Sequence, residues 1–310
     1  MLTSDTEWNK FVRMNRIVSI FIFLLSVAGM AAQQHFPKVI PAGNYSGICH
    51  LGGNCFAVVD DKADEDGFYV FSFTVDTLKG RLAKAENLGY RSSGHPNRDM
   101  EGICFRPSSQ TVFISGEADG EVIEYALDGK RTGNRLLMPA VFKKAYRNYG
   151  IEALTYDTLS HQFYVTTERP LRGETLLRIQ SFDDDLQPLH QYTYRPDSPI
   201  SRKYFHGVAA LCAMGDGRLL VLERQVRVPR LKLDAHTLIR IYEVRPSAAD
   251  GYLEKQLIKE FHTTLTLTGR KFANYEGLCA LSPRWLLLVA DSQQQYKKVL
   301  RDWFLLLHLP

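Results

Sequence analysis

Three glutamates in this chain each stand directly before a small residue at the start of an apolar run. They occur in Met100-Glu101-Gly102-Ile103, Ile151-Glu152-Ala153-Leu154 and Tyr275-Glu276-Gly277-Leu278. A carboxylate at the mouth of an apolar strand is costly to bury unless its charge is paired or bound. Three such carboxylates brought together could hold a cation or orient a water molecule. We predict that Glu101, Glu152 and Glu276 are catalytic residues.

A second set of acidic residues ends the strand that follows each of these runs. Hard oxygen ligands suit Ca²⁺ or Mg²⁺, and we expect Ca²⁺ and no organic cofactor. The predicted metal ligands are the three glutamates together with Glu117, Glu168, Glu223 and Asp291. Asp60 takes the corresponding place after the first run.

Basic residues near the same loops offer another way to balance these acids. Arg169 directly follows Glu168, and Arg224 directly follows Glu223. Because a guanidinium group binds carboxylate or phosphate through two parallel hydrogen bonds, such a rim suits a small anionic or ester ligand. The predicted substrate-binding residues are Arg98, Arg169, Arg224, His95 and His206. Each glutamate could instead have a structural role, accepting backbone N–H bonds from a neighbouring strand.

The elements that must position these side chains form a repeat. Each of five units runs in the same order: small residue, short strand, turn, second strand, acid. A third strand follows in each unit and a fourth is plausible in most, since the runs are rich in Val, Ile, Tyr, Phe and Leu and are bounded by turn residues. The small residues, Gly47, Gly102, Ala153, Ala210 and Gly277, are spaced by 55, 51, 57 and 67 residues.

Units of this length with three or four antiparallel strands are typical of propeller blades. We predict an all-β fold with a single β-propeller over residues 33–310. The last unit is short, and Phe36–Ala42 could supply its outer strand and close the ring. This gives five blades; six remain open because Gln225–Asn274 could hold more structure. A solenoid of stacked repeats is the rival architecture, and the short last unit favours a closed ring.

In a propeller, the loop entering the first strand of each blade and the turn after its second strand lie on one face. Glu101, Glu152 and Glu276 should therefore share one ring on that face. Ser46 and Ala209 take its two remaining places. The acids that end the second strands should form a second ring beside it.

Residues 1–32 resemble a signal peptide. Basic residues precede the apolar stretch Ile17–Ala28, small residues follow it, and translation could start at Met14. A membrane anchor is the alternative. We expect export to the periplasm or medium, no stable membrane insertion after cleavage, and a monomer. The net charge of +4 comes from mixed signs without a run of Lys or Arg, so no nucleic-acid partner is expected.

The five cysteines allow two interpretations. Cys49 and Cys55 flank a turn and could pair in an exported chain. The favoured interpretation is that all five are small buried hydrophobic residues.

Several enzyme signatures are missing from the sequence. It contains no G-x-S-x-G elbow, no H-E-x-x-H, no P-loop and no dinucleotide fingerprint. We predict a metal-assisted hydrolase of phosphate or carboxylate esters, and the alternative is a non-catalytic propeller that binds a ligand or a protein.

The ordered motifs resemble the family called esterase-like activity of phytase, over roughly residues 38 to 309. The resemblance implies an exported β-propeller, and the family name implies hydrolysis of esters or phosphoesters. Ser46 and Ala209 depart from a full ring of acids. The matching stretches are Asp99–Ile103 with Ser115–Glu117, Asn148–Leu154 with Thr167–Leu171, Gly217–Arg224, and Asn274–Leu278 with Val289–Ser292.

Overall fold

The computed structural model describes residues 33–230 and 233–310. The predicted signal peptide, residues 1–32, lies outside the described residues. The strands are, in chain order, β1 (Gln33–Gln34), β2 (Tyr45–Gly52), β3 (Cys55–Asp60), β4 (Glu65–Asp76), β5 (Arg81–Pro96), β6 (Met100–Arg106), β7 (Thr111–Gly116), β8 (Val122–Ala126), β9 (Arg131–Arg135), β10 (Ile151–Asp157), β11 (Gln162–Thr167), β12 (Leu177–Phe182), β13 (Pro188–Tyr194), β14 (Phe205–Ala213), β15 (Leu219–Arg227), β16 (His236–Val244), β17 (Gly251–Tyr252), β18 (Gln256–Thr264), β19 (Asn274–Ser282), β20 (Trp285–Asp291) and β21 (Phe304–His308).

These strands form five small sheets arranged in a ring, a five-bladed β-propeller. Blade 1 contains β2–β5, blade 2 β6–β9, and blade 3 β10–β13 with β17 at its edge. Blade 4 contains β14, β15, β16 and β18, and blade 5 contains β19, β20, β21 and β1. The innermost strands β2, β6, β10, β14 and β19 contact one another in a closed cycle. The predicted all-β propeller is confirmed.

The stretch that left six blades open, Gln225–Asn274, completes blade 4 instead. It contains the end of β15, then β16 and β18, while β17 pairs in parallel with β13 of blade 3. The ring therefore has five blades.

An N-terminal strand closes the ring, as predicted, but a different segment does so. Gln33 pairs with Leu305 and Gln34 with Phe304. The predicted closing segment, Phe36–Ala42, is wrong, because it forms a turn in which the N–H of Ile40 bonds back to the Phe36 carbonyl. The two prolines in that segment cannot donate to a strand ladder.

Helical structure in the described residues is limited to a 3-10 helix, Ala140–Lys144, and a four-residue segment, Tyr296–Val299. No helix within these ranges is long and apolar enough to span a bilayer.

The core lies between the blades rather than within one central layer. Apolar side chains from both faces of each sheet pack against the neighbouring sheet, because successive strand residues point to opposite faces. Leu222 and Ile239 of blade 4 share one cluster with Tyr275 of blade 5, and corresponding clusters lie at the other interfaces.

The repeated small residues allow the innermost strands to come close together. A Cβ atom on Gly47 would lie 2.3 Å from the carbonyl oxygen of Glu101 in the next blade. One on Gly102 would lie 2.8 Å from Leu154 in the blade after that. Small residues therefore recur at this position because a larger side chain would clash with the neighbouring innermost strand.

All five cysteines are free thiols in the structure. Cys49 pairs in register with Ala57 and Cys55 with Gly52, so the two do not face each other. Four of them, Cys49, Cys104, Cys212 and Cys279, are buried hydrophobic residues on the innermost strands, as the favoured interpretation predicted; Cys55 is only partly buried.

Candidate functional site

Each innermost strand is irregular at the residue before the repeated small residue. In blade 3, Ile151 pairs with Thr167 and Ala153 with Thr166, so Glu152 is left without a partner in the ladder. The pairing skips Ser46, Ala209 and Glu276 in the same way, and in blade 2 it skips Glu101 and Gly102. A bulge of this kind bends the strand and re-aims the side chain. Five bulges therefore direct this position towards the propeller axis.

The same register identifies the second ring. The residue opposite the start of each bulge is Asp60, Gly116, Thr167, Glu223 or Ala290. The next residues along those chains, which follow the second strand or continue it, are Asp61, Glu117, Glu168, Arg224 and Asp291. Asp61 and Arg224 thus occupy the places for which the sequence repeat suggested Asp60 and Glu223. The second ring contains four acids and one arginine.

Arg224 is the cation at the centre of this arrangement. Its Nη2 lies 3.2 Å from Oε1 of Glu152 and 3.4 Å from Oε1 of Glu168. Its Nη1 donates to Glu276 and, at 2.9 Å, to Oδ1 of Asn274. Burial opposes the charge, but the surrounding glutamates raise the pKa of Arg224 above its usual value. We call Glu101, Glu152, Glu168, Glu276 and Arg224 the axial cluster.

Glu101 is the member of the axial cluster without a partner. Among the described residues, none forms a hydrogen bond or an ion pair with its carboxyl group. Burial, followed by the charges of Glu152 and Glu276, raises its pKa well above the ordinary value. A like charge nearby disfavours ionisation, so this carboxyl group retains its proton more readily than a free one.

The other carboxyl groups of the cluster are shifted in the same direction. Burial raises the pKa of Glu152 strongly, with a further contribution from Glu168 that Arg224 opposes. Burial raises the pKa of Glu276 to about 8, although Arg224 lowers it. In the second ring, burial raises the pKa of Asp291 to about 7. Burial and mutual repulsion therefore favour the protonated forms of these carboxyl groups more than in free side chains.

Backbone groups hold parts of the second ring. The N–H of Gly150 donates to Glu117 at 3.0 Å, and the N–H of Gln293 donates to Asp291 at 2.6 Å. Asp61 pairs with Lys62 at 2.8 Å, while its Oδ1 is buried without a hydrogen-bond partner. Three of the four acids of the second ring are therefore held by a backbone hydrogen bond or an ion pair.

The carboxylate oxygens suit a hard cation in kind. Arg224 engages Glu152, Glu168 and Glu276, and other groups bond to Glu117, Glu223 and Asp291. The carboxyl group of Glu101 and Oδ1 of Asp61 have no such partner among the described residues. Within residues 33–230 and 233–310, no three His, Cys, Asp or Glu side chains have the arrangement of a metal site. A cation would thus be held mainly by Glu101, rather than by all seven predicted ligands.

Two of the predicted substrate-binding residues lie beside the axial cluster. The guanidinium carbon of Arg169 is 4.1 Å from the ring centre of Tyr149, and its Nε donates to the His206 carbonyl at 3.3 Å. Burial and the charge of Arg169 lower the pKa of His206. Arg169 and His206 line a cavity of about 350 Å³ together with Glu168 and Arg224.

Three other residues predicted to bind substrate or metal do not lie at the axial cluster. Arg98 is buried, with Nη1 2.8 Å from Asp119 and Nη2 3.1 Å from the Ile114 carbonyl. His95 is exposed near the end of β5. Glu223 accepts a hydrogen bond from Lys255 at 2.6 Å on the opposite face of β15 from Arg224.

Sequence reasoning missed Asp61 and Asn274. Asp61 lies one residue beyond the bulge partner Asp60, a register that only the structure shows. Asn274 gave no comparable signal, although its Nδ2 donates to Glu276 at 2.7 Å and its Oδ1 accepts from Arg224.

A sequence model of phytase-like proteins, described as esterase-like activity of phytase, matches residues 40–293. The chain belongs to this family. The match begins before the first bulge and extends past Asp291, so both rings of the phytase-like propeller lie inside it.

Three solved structures that are similar to this phytase-like chain cover most of its length. A streptogramin B lyase is 11% identical with a TM-score of 0.44, covering 91% of this chain and 99% of its own. A luciferin-regenerating enzyme is 10% identical with a TM-score of 0.47, covering 89% and 95%. A chain of a nidogen/laminin complex is 11% identical with a TM-score of 0.42, covering 85% and 84%. Among curated protein sequences, none is significantly similar to this chain.

Proposed function

We propose that this phytase-like propeller hydrolyses phosphate or carboxylate esters at the axial cluster. The observation that carries the proposal is a set of carboxyl groups with raised pKa values around a single guanidinium group, one of them without a partner. Perturbed carboxyl groups beside a cavity are typical of acid–base sites. The family description, esterase-like activity of phytase, supports the same class of reaction.

Two carboxyl groups in different protonation states can carry out the proton transfers. An ionised carboxylate of the cluster accepts a proton from water as the water oxygen bonds to phosphorus or to the carbonyl carbon. A protonated neighbour donates its proton to the leaving oxygen as the ester bond breaks. Glu152, whose pKa burial and Glu168 raise well above the ordinary value, suits the donor role. Glu276 then suits the acceptor role, because Arg224 donates to its carboxylate and opposes the rise of its pKa.

Charged side chains hold the substrate and the carboxyl groups in place. Arg224 fixes Glu152 and Glu276 relative to each other through its two terminal amino groups. Arg169 is positioned to bind the anionic group of the substrate. A divalent cation, with Ca²⁺ expected, would be held by Glu101 and would supply polarisation of the ester oxygen and a more acidic bound water.

The cellular setting belongs to the same proposal. Residues 1–32 would direct export to the periplasm or the medium, where the mature chain acts as a monomer on a small ligand.

Turnover assays on 4-nitrophenyl phosphate and 4-nitrophenyl acetate, with Ca²⁺ or with a chelator, test the proposal. We expect Glu152→Gln to lower kcat by about 100-fold or more, because it removes the proton donor. Glu121→Gln is the matched control, since Glu121 pairs with Arg135 on the exposed rim at 2.9 Å. Absent turnover, or turnover unchanged by Glu152→Gln, would contradict hydrolysis. Ligand binding without turnover would then favour the non-catalytic propeller.

A further inference from the structure

The cavity of about 350 Å³ beside the axial cluster has a lining of mixed chemistry. Glu168 and Arg224 belong to the cluster, so a ligand in this cavity lies next to the proposed catalytic carboxyl groups. The other lining residues include one cation, Arg169, and the apolar residues Phe205 and Val228. A cation and apolar side chains beside the acids indicate which charge and which apolar groups a bound substrate has.

Arg169 is held in place and still has binding capacity. Its guanidinium group stacks on Tyr149 at 4.1 Å, and its Nε donates to the His206 carbonyl. Its two terminal amino groups have no hydrogen-bond partner in the part of the chain that the structure describes. A guanidinium group fixed through its Nε presents its remaining N–H groups to a carboxylate or phosphate with little loss of side-chain entropy.

The apolar side of the cavity is open to solvent. The Phe205 side chain is 66% exposed and Val228 is 40% exposed. Apolar area that water covers in the free protein favours binding of a ligand that covers it instead. Phe205 immediately precedes His206 at the start of β14, so this apolar surface lies close to the carbonyl that anchors Arg169.

The charges of the lining residues limit the ligand to few negative charges. Arg224 commits both terminal amino groups to Glu276, Glu152 and Glu168. The lowered pKa of His206 favours its neutral form. Arg169 is therefore the one available cation among the residues that line this cavity. A polyanion would bring more negative charge than Arg169 can neutralise, close to several carboxyl groups.

The neighbouring cavity of about 450 Å³ does not supply the missing charge. It sets three cationic side chains against three acidic ones. They are Lys143, Arg147 and Arg172, with Asp99, Glu117 and Asp119.

We infer that the substrate is an ester with a single phosphate or carboxylate group and an aromatic or branched apolar part. Its anionic group binds Arg169, and its apolar part covers Phe205 and Val228. Multiply phosphorylated substrates are disfavoured. This inference rests on the proposed function and refines it, because it assigns the substrate class of the same site.

Calorimetry with non-hydrolysable ligands tests the inference separately from catalysis. We expect phenylphosphonate to bind about tenfold more tightly than methylphosphonate, since only the former has a ring to cover Phe205. Phe205→Ser should abolish this preference. Arg169→Gln should weaken binding of both ligands by about tenfold. Arg172→Gln is the matched control: its guanidinium lies 6.0 Å from the Tyr146 ring in the other cavity, and binding should be unchanged.

Three results would overturn the inference in folded protein, checked by circular dichroism. They are tighter binding of inositol hexakisphosphate than of phenylphosphonate without added metal, a preference for phenylphosphonate that survives Phe205→Ser, and binding unaffected by Arg169→Gln. Turnover separates the two proposals. Hydrolysis with binding insensitive to both variants refutes only the substrate class, whereas the expected binding pattern without any hydrolysis refutes only the reaction.

Discussion

Glu223 and Arg224 are consecutive residues of β15, and their side chains enter two ionic groups of opposite character. Glu223 joins Asp197, Lys255 and Arg240 between blades 3 and 4. We call these four residues the interblade network. It sets two acids against two bases. Burial opposes ionisation of Asp197, but hydrogen bonds from Lys255, Tyr242 and Arg240, with the charge of Lys255, lower its pKa. Arg224 instead faces several acids of the axial cluster, whose pKa values are raised.

The interblade network uses its charges to hold two blades together, whereas the axial cluster has the charges of a functional site. In the interblade network every charge has an opposite partner within 2.8 Å, so the group needs nothing from solution. In the axial cluster one cation serves several carboxyl groups and leaves Glu101 free. Only such an unbalanced group gains by binding a proton, a metal ion or a ligand.

The largest loss of stability is expected from Arg224→Gln, which removes the cation of the axial cluster. Removing the one guanidinium leaves several buried carboxyl groups uncompensated, which costs about 3–5 kcal/mol of unfolding free energy at pH 8.5. At pH 5 the loss should be smaller, because the carboxyl groups are then protonated. Urea unfolding followed by tryptophan fluorescence measures both. Arg240→Gln, in the partly exposed side of the interblade network, should cost only about 1 kcal/mol. Equal losses for Arg224→Gln at both pH values would contradict the account.

The pH dependence of stability should distinguish the two groups by sign. Because the folded-state pKa of Glu276 is raised to about 8, the folded protein binds more protons than the unfolded chain above pH 4.5. Its contribution is therefore present below that pH and is lost as the pH rises towards 8. Glu276→Gln should flatten the decline in the unfolding free energy between pH 5 and pH 8.5.

Asp197→Asn is the comparison for that experiment. The pKa of Asp197 is lowered in the folded state, so its contribution is present above pH 4 and is lost on acidification. The variant should cost about 1 kcal/mol at pH 7 and progressively less below pH 4. A wild-type protein whose stability rises between pH 5 and pH 8.5 would refute the assignment of raised pKa values to the axial cluster.

The smallest effect is expected from Glu101→Gln. Removing one unpaired carboxylate should stabilise the protein by about 1 kcal/mol or less at pH 8.5, since a repulsion disappears. Addition of millimolar Ca²⁺ should raise the Tm of the wild type by a few degrees at that pH. The variant should lose most of this rise. Glu121→Gln, on the exposed rim, should retain it in full. A Ca²⁺ effect that is the same in both variants would argue against a cation at Glu101.

The sequence was sufficient to predict the propeller, because the small residue, the two apolar strands and the acid recur five times. The strands that β-branched and aromatic residues mark are the strands observed. The sequence predicts that an N-terminal strand closes the ring, but it places that strand at Phe36–Ala42 instead of Gln33–Gln34. Phe36–Ala42 is apolar enough to suggest a strand, but its two prolines cannot donate to a strand ladder.

The site was harder to predict because it depends on register. A shift of one residue moves a side chain to the other face of a strand, and the five bulges that set this register are not visible as a residue pattern. Glu223 was therefore aligned with the ring in place of Arg224. Arg98 illustrates a second limit, since its proximity to Glu101 in sequence does not disclose its ion pair with Asp119.

The pairing of β1 with β21 also has a kinetic consequence. The two strands come from opposite ends of the described chain, so their contact spans almost the greatest sequence separation available. Contacts of this kind form late, because the entropy of closing so long a loop must be overcome first. A chain still emerging from the ribosome can complete four blades but not the fifth. Until Phe304 and Leu305 meet Gln34 and Gln33, the edge of β21 remains open to pairing with another chain.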